Sequence, residues 1–208
     1  MSQAGDIPAP SPSRAGDDVR GRHLVVISGP SGAGKTTICR AVADRLHLPI
    51  STSATTRPKR PGETEGRDYY FLSEQEFRTR IDRGRFVEWA EVFGHLYGTP
   101  VEEVERARKA GNRLLLEIDV QGGIQIKRAY PGALAVLVLA PGPDALRDRL
   151  ACRGTDSADE VRRRLEKAAE EVRMARQSGC YDVEVVNDRL DEAVRHVVQW
   201  IQRGRNQA

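Results

Sequence analysis

The feature that most constrains this chain is the octapeptide Gly29-Pro30-Ser31-Gly32-Ala33-Gly34-Lys35-Thr36, which fits the pattern G-x-x-x-x-G-K-[ST] at every defined position. A continuous apolar run, Leu24-Val25-Val26-Ile27, precedes it, as expected of a strand buried on both faces. A helix-compatible stretch from Lys35 to Leu46 follows. A strand that turns into a helix through glycines can curl its backbone so that successive N–H groups and the positive helix end face an anion. The octapeptide and the adjoining Thr37 are therefore expected to cradle the phosphates of a nucleoside triphosphate such as ATP. Lys35 would neutralise the β- and γ-phosphates, and the Thr36 hydroxyl would ligate Mg²⁺. Such a cradle specifies a nucleotide site and leaves the reaction open. A base-reading N-K-x-D motif is lacking, since Asn187-Asp188 has no lysine between its members, and this speaks against a GTPase switch.

Further apolar runs recur at Arg113 to Ile118, Ala133 to Leu139 and Val183 to Val186, with helical patterns between and after them, including Leu190 to Arg203. Strands alternating with helices predict an α/β fold, a parallel sheet covered by helices on both faces. Residues 50–99 break this rhythm with short aromatic and β-prone pieces around one helix, which Ser73-Glu74-Gln75-Glu76 opens as a capping box. This region is read as a mostly β insertion. Residues 1–21, rich in Pro, Ser, Gly and Asp, offer little to bury and are expected to form a disordered tail ahead of a folded unit at 22–208.

No apolar run approaches the ~18 residues of a membrane-spanning helix, and the start of the chain does not read as a signal peptide. Cys39, Cys152 and Cys180 are odd in number and lack ligand spacing, so reduced thiols and a cytoplasmic location are expected. The 33 basic residues are nearly balanced by 30 acidic ones, giving a net charge of +3. That balance disfavours a general nucleic-acid binder but permits a local arginine cluster around a small phosphorylated ligand. Nothing in the sequence indicates an oligomeric state.

Such a cluster is present in Ser53-Ala54-Thr55-Thr56-Arg57-Pro58-Lys59-Arg60-Pro61-Gly62-Glu63, continuing through Gly66-Arg67-Asp68-Tyr69-Tyr70-Phe71. Arg57 and Arg60 lie three apart, so a turn could aim both guanidinium groups at one phosphate dianion. Tyr69 and Tyr97 could each donate a phenolic hydrogen bond to it, or simply pack in the core with a wet hydroxyl. Glu88 interrupts the apolar run Phe86-Val87-Glu88-Trp89-Ala90. A carboxylate there could accept from the adjacent N1 and N2 donors of guanine, which adenine lacks; the alternative is an outward-facing strand glutamate.

These stretches, with Glu88-Trp89-Ala90, Tyr97-Gly98-Thr99, Glu117-Ile118-Asp119-Val120-Gln121-Gly122, Arg153-Gly154-Thr155 and Val186-Asn187-Asp188, resemble the guanylate kinase family from about His23 to Arg203. The resemblance implies transfer of a phosphoryl group from ATP to GMP with Mg²⁺, by a P-loop core, a GMP-binding region at 51–99 and a lid at about 141–179. It assigns Ser53, Thr99 and Asp119 to base recognition beside Glu88, and it adds Glu117 to the GMP set. Thr99 has a competing reading, because Thr99-Pro100-Val101-Glu102 also resembles a capping box. Glu117 and Asp119 both close a buried strand, and either could organise Mg²⁺ through water.

In the lid the resemblance points to Arg149, Arg153 and Arg164 on ATP phosphates or the transferring group, with Arg60, Arg153, Arg164 and Lys35 as the catalytic cations. Val161, Leu165, Ala168, Ala169, Val172 and Ala175 make one apolar stripe. Arg163 falls opposite it and should face solvent, while Arg162 and Arg164 flank it equally. Asn187 would contact adenine, or merely end a strand as a turn residue. Ala54 stands where serine is common, and Pro58 directly after Arg57 could alter the arginine turn. Two rival readings remain in view: a non-catalytic module binding phosphorylated peptides, and a kinase of the same architecture for another mononucleotide. The intact Lys35 and Thr36 oppose the first, and Glu88 opposes the second.

Overall fold

The computed structural model describes residues 21–151 and 158–203. In chain order the elements begin with β1 (Leu24–Ser28), α1 (Lys35–Leu46), β2 (Ala54–Thr55), β3 (Tyr70–Phe71) and α2 (Glu74–Asp82). They continue with β4 (Phe86–Val92), β5 (His95–Pro100), α3 (Val101–Lys109), β6 (Leu114–Glu117) and α4 (Val120–Ala129). The chain then runs through β7 (Leu134–Leu139), α5 (Pro143–Ala151), α6 (Ala158–Ser178), β8 (Val183–Val186) and α7 (Leu190–Arg203). The tail expected at 1–21 lies outside the described residues except for Gly21, which is buried and accepts from the Leu24 amide at 2.7 Å.

The parallel sheet has the order β6-β1-β7-β8. All five residues of β1 are fully buried, and the period of two sends alternate side chains to opposite faces. Val25 and Ile27 meet Ile38, Cys39 and Val42 of α1 and Val194, Val197 and Ile201 of α7. Leu24 and Val26 meet Val104 and Ala107 of α3 and Ile126 of α4 on the other side. Each aliphatic side chain so withdrawn from water contributes roughly 1.5–3 kcal/mol, which is why a short run without a polar face is stable only as a central strand. The expected α/β sandwich is thus observed.

The insertion forms a second sheet of order β3-β2-β5-β4, with β2 and β3 parallel and the remaining pairs antiparallel. Its core is Phe77 of α2 against Ala54, Phe86 and Leu96, and the Phe77 and Phe86 rings stack at 4.4 Å. The expected capping box opens α2: Ser73 Oγ accepts from the Glu76 amide while the Glu76 carboxylate accepts from the Ser73 amide. β4 and β5 are joined by a two-residue turn, Phe93-Gly94, with both residues at positive φ. A register shift between Phe86 and Glu88 lets two consecutive side chains, Val87 and Glu88, both be buried.

Two expectations need correction. The box read at Thr99 does not cap a helix: Pro100 is the N-cap of α3 and no side chain caps it. Thr99 remains in β5 opposite Glu88, whose buried carboxylate is the stronger acceptor, and its hydroxyl donates there at 2.7 Å. The stripe on α6 is also rotated from its expected position. Ala169 is exposed, and Ala168, Glu171 and Ala175 are the buried residues. α6 packs Val172 and Ala175 on Val120, Ile124 and Leu137, and this docking turns Glu171 inward.

Candidate active site

The carboxyl ends of β1 and β6 open into a cleft of about 770 Å³, walled by the glycine loop, the second sheet and α6. Its size suits a small-molecule site, and its position is that of ligand sites in open α/β sheets. Most residues singled out from the sequence line it: Gly29, Ser31, Gly32, Gly34, Lys35, Thr36 and Thr37 from the loop side, and Ser53, Arg57, Arg60, Tyr69, Glu88 and Tyr97 from the second sheet. Glu117, Asp119 and Arg164 complete that set. Pro30, Ala33 and Thr99 stand behind the wall, Thr99 fully buried against Glu88. Arg153 lies outside the described residues.

The loop owes its curl to glycines in conformations closed to other residues. Gly34, the N-cap of α1, has φ 92°, and a Cβ there would stand 2.2 Å from Asn187 Nδ2. Lys35 Nζ donates to the carbonyls of Gly29 at 2.7 Å and Pro30 at 3.0 Å, so its charge sits over the mouth of the loop. Asn187 and Arg149 brace the same loop from outside the cleft. The Asn187 amide donates to the Ala33 carbonyl at 2.9 Å, and Arg149 Nη2 donates to the Asn187 carbonyl at 2.8 Å. Arg149 Nη1 is buried without a hydrogen-bond partner.

Glu117 and Asp119, interchangeable in the sequence, part company here. The Thr36 hydroxyl donates to Glu117 Oε1. Asp119 is the N-cap of α4, its Oδ1 accepting from the Gly122 amide at 2.8 Å, while its Oδ2 is buried without a partner. Burial pushes the Asp119 carboxyl above its usual range.

On the acceptor side the Arg57 guanidinium forks onto Glu63, Nη2 to Oε1 at 2.6 Å and Nη1 to Oε2 at 3.1 Å. Its guanidinium also lies 5.4 Å from the Tyr69 ring centroid and 5.9 Å from that of Phe71. Glu63 Oε2 additionally accepts from the Arg60 amide at 2.7 Å. One carboxylate therefore holds both arginines of the turn, and Pro58 fits it, its carbonyl accepting from Arg57 Nη1. The Tyr69 phenol is raised in pKa, chiefly by burial, so its hydroxyl stays a donor.

Glu88 is 3% exposed. Its carboxylate accepts from the Thr99 hydroxyl, yet desolvation of so deeply buried a charge pushes its pKa up to about 8. Thr99 pulls the other way, and the nearby Asp119 adds to the rise. A Cβ on Gly122 would stand 2.4 Å from Glu88 Oε2, and one on Gly123 would stand 2.4 Å from the Tyr181 hydroxyl. That hydroxyl lies 2.9 Å from Ser28 Oγ, which donates to the Asp119 carbonyl.

Sequence reasoning gave no site role to several residues that line the cleft, among them Glu63, Glu171, Phe93 and Arg163. Glu63 stands in the quoted arginine stretch, and its spacing from Arg57 and Arg60 was the available signal. Glu171 is 8% exposed and lines the cleft. Burial raises its pKa to about 7, opposed by Lys35 and Lys167. Its only signal was a charge lying close to an apolar stripe. Phe93 lines the cleft from the β4–β5 turn. Arg163 is exposed as expected yet also borders the cleft, whereas Arg162 pairs with Asp159 in solvent.

A family model describing guanylate kinases matches residues 21–204. The chain is 49% identical over 185 residues to a guanylate kinase of Rubrobacter xylanophilus, covering 88% of this chain and 95% of that protein. It is 46% identical over 175 residues to one of Geobacter metallireducens, covering 84% and 85%. Among solved structures it resembles a guanylate kinase from Anaplasma phagocytophilum with a TM-score of 0.69 and 30% identity, covering 89% of this chain and 86% of that one.

Proposed function

The chain belongs to the guanylate kinase family, and from that premise we infer that its cleft receives ATP and GMP end to end and transfers the terminal phosphoryl group of ATP to GMP, giving ADP and GDP. The observation that carries this reading is the pairing of two unlike ends in one cleft. A glycine loop with its lysine lies at one end, and a buried carboxylate hydrogen-bonded to Thr99 lies at the other. The first suits polyphosphate. The second suits a base with two adjacent N–H donors, because an acceptor pair this buried discriminates strongly against a base that leaves it unpaired.

The roles proposed here rest on family membership and, for the described residues, on their place in the cleft. Backbone N–H groups of 31–36 and the Lys35 ammonium bind the ATP phosphates. Arg57, Arg60, Tyr69 and Tyr97 bind the GMP phosphate; Glu63 orients the Arg57 guanidinium and fixes the backbone at Arg60. Ser53, Glu88, Thr99 and Asp119 serve the base. Lys35, Arg60, Arg153 and Arg164 offset charge on the transferring group, which is most of what phosphoryl transfer asks of a protein. Arg149 and Asn187 act on the ATP side by bracing the glycine loop. Residues 51–99 form the GMP-binding region and 141–179 the lid, around a core of 22–50, 100–140 and 180–208. Lid and GMP region together exclude water, which would otherwise compete as acceptor.

The residues present fit Mg²⁺. The Thr36 hydroxyl and the Glu117 carboxylate meet in the cleft beside Lys35, and Asp119 Oδ2 is an unpartnered oxygen in the same wall. These are hard oxygen donors, few enough that substrate phosphates and waters would complete the shell, as this ion prefers. Thr36 would hold the ion, with Glu117 or Asp119 reaching it through water, and the ion would supply charge neutralisation between the phosphates. No helix among the described residues is long and apolar enough to cross a membrane, and a cytoplasmic enzyme of purine nucleotide metabolism is the fitting assignment.

The test is coupled ADP release from ATP and Mg²⁺ with GMP, AMP, CMP and UMP offered separately. Turnover with GMP alone is expected. A folded, ATP-binding protein inert toward all four would instead be a binding module, and equal turnover with AMP would remove Glu88 from base reading.

A further inference from the structure

The turn between β4 and β5 holds an unlikely residue. Phe93 has φ 51° and is followed by Gly94 at φ 76°. Two-residue hairpins of this hand favour Asn, Asp or Gly, and a bulky side chain in the left-handed region is disfavoured. The ring is also 49% exposed, among the most exposed of the large hydrophobic residues. A strained backbone bearing an exposed aromatic ring signals a function that overrides local preference.

The ring's neighbours supply one. Lys167 Nζ lies 4.3 Å from the Phe93 ring centroid, and the Arg164 guanidinium carbon lies 5.4 Å from it. Both cations belong to α6 and, three residues apart, share one side of it. The negative ring face attracts each of them and relieves their mutual repulsion. The hairpin that carries Phe93 at its tip carries Glu88, Tyr97 and Thr99 further down its strands. Phe93 thus spans from the acceptor wall of the cleft to the helix bearing Arg164.

We propose that Phe93 is a positioning residue for phosphoryl transfer: it docks the acceptor hairpin against α6 and so holds Arg164 over the reacting phosphates. This rests on the cleft being the phosphoryl-transfer site described above. Phe93 then acts through Arg164, so its loss should appear in kcat rather than in GMP affinity.

The test compares Phe93→Leu, Phe93→Asn and Phe93→Tyr in the full chain. Leucine keeps bulk without an aromatic face, asparagine relaxes the backbone, and tyrosine keeps the face. For the leucine and asparagine variants kcat should fall roughly tenfold with KM for GMP within about twofold, the scale expected of two exposed cation–π contacts. The tyrosine variant should stay within about twofold of wild type, and the asparagine variant should melt no lower than wild type. The proposal is overturned if leucine leaves kcat unchanged, if tyrosine loses as much as leucine, or if kcat and Tm fall together in all three. A wild-type protein inert toward GMP would refute the reaction instead. The docking is then read without substrate, from melting of Phe93→Leu, Lys167→Ala and the double variant: non-additive Tm shifts support it and additive shifts overturn it.

Discussion

Replacing Glu88 by glutamine changes one atom's chemistry at the most deeply buried carboxyl of the cleft. Guanine presents N1–H and N2–H side by side, and a carboxylate accepts from both. Glutamine offers one oxygen and sets its own NH₂ against a guanine donor. One charge-assisted hydrogen bond is lost, about 1.5–3 kcal/mol, and one buried donor is left unpaired, about 1–3 kcal/mol. Against this stands the proton. A carboxyl raised to about 8 must ionise before it can accept both bonds, which at pH 7 costs the wild type about 1.4 kcal/mol. The net loss is about 1–4.5 kcal/mol, so kcat/KM for GMP at pH 7 should drop roughly 5- to 2,000-fold, while AMP loses little. Raising pH from 7 to 9 should improve the wild type by up to about tenfold and leave the variant's GMP profile without that rise. Glu171, raised to about 7, is present in both proteins, so their difference isolates Glu88.

The same change should register in the ligand-free protein. Glu88 titrates near 4.5 when unfolded and near 8 when folded. Between those values the native state holds more protons than the unfolded state, so the wild type loses stability as pH rises through that window. Glutamine removes this slope, and its Tm should exceed that of the wild type increasingly from pH 5 to 8. Steady-state rates with GMP and AMP between pH 6 and 9, with parallel thermal melts, make the measurement. An unchanged GMP-to-AMP ratio, or identical pH dependence of Tm in both proteins, would refute the reasoning.

Two further outcomes concern the phosphate ends. Lys35→Ala should lower kcat/KM by at least about 10³ while leaving circular dichroism and Tm near wild type, because its two bonds to loop carbonyls contribute little to the fold; retained turnover in the coupled assay would contradict its role. Glu63→Gln should free Arg57 from its fork and raise KM for GMP about five- to thirtyfold with a smaller effect on kcat, so an unchanged KM would show that the arginines orient themselves.

The sequence made the central sheet legible because its central strands β1 and β7 are continuous apolar runs and its glycine loop fits the phosphate-cradling pattern at every defined position: β1, α1 and α7 emerge within about one residue of expectation. Local chemistry was equally legible at Ser73, where both halves of the box lie within four residues. What remained hidden depended on register and rotation. Thr99 reads as a cap until β5 is paired with β4, when its hydroxyl finds Glu88. Glu171 reads as surface charge until α6 is docked, because a small rotation of a stripe exchanges Ala169 for a carboxylate. Arg149 and Asn187 resemble nucleotide ligands in one dimension, and only the folded chain adds that Asn187 reaches the Ala33 carbonyl and Arg149 the Asn187 carbonyl. Phe93 gave no periodic signal at all, since its partners lie more than seventy residues downstream.

The two glycines that open α4 have a consequence for any attempt to harden this protein. Glycine inside a helix is the ordinary first target of stabilising substitution, worth about 1 kcal/mol on exchange for alanine. Here the added methyl groups would press on the Glu88 carboxylate and the Tyr181 hydroxyl. The helix is kept intrinsically weak where it meets the base pocket, so selectivity for the base and robustness of the scaffold draw on the same few cubic ångströms. Thermal improvement must be sought elsewhere, on the exposed faces of α2 or α3, where added helix propensity has no ligand wall to displace.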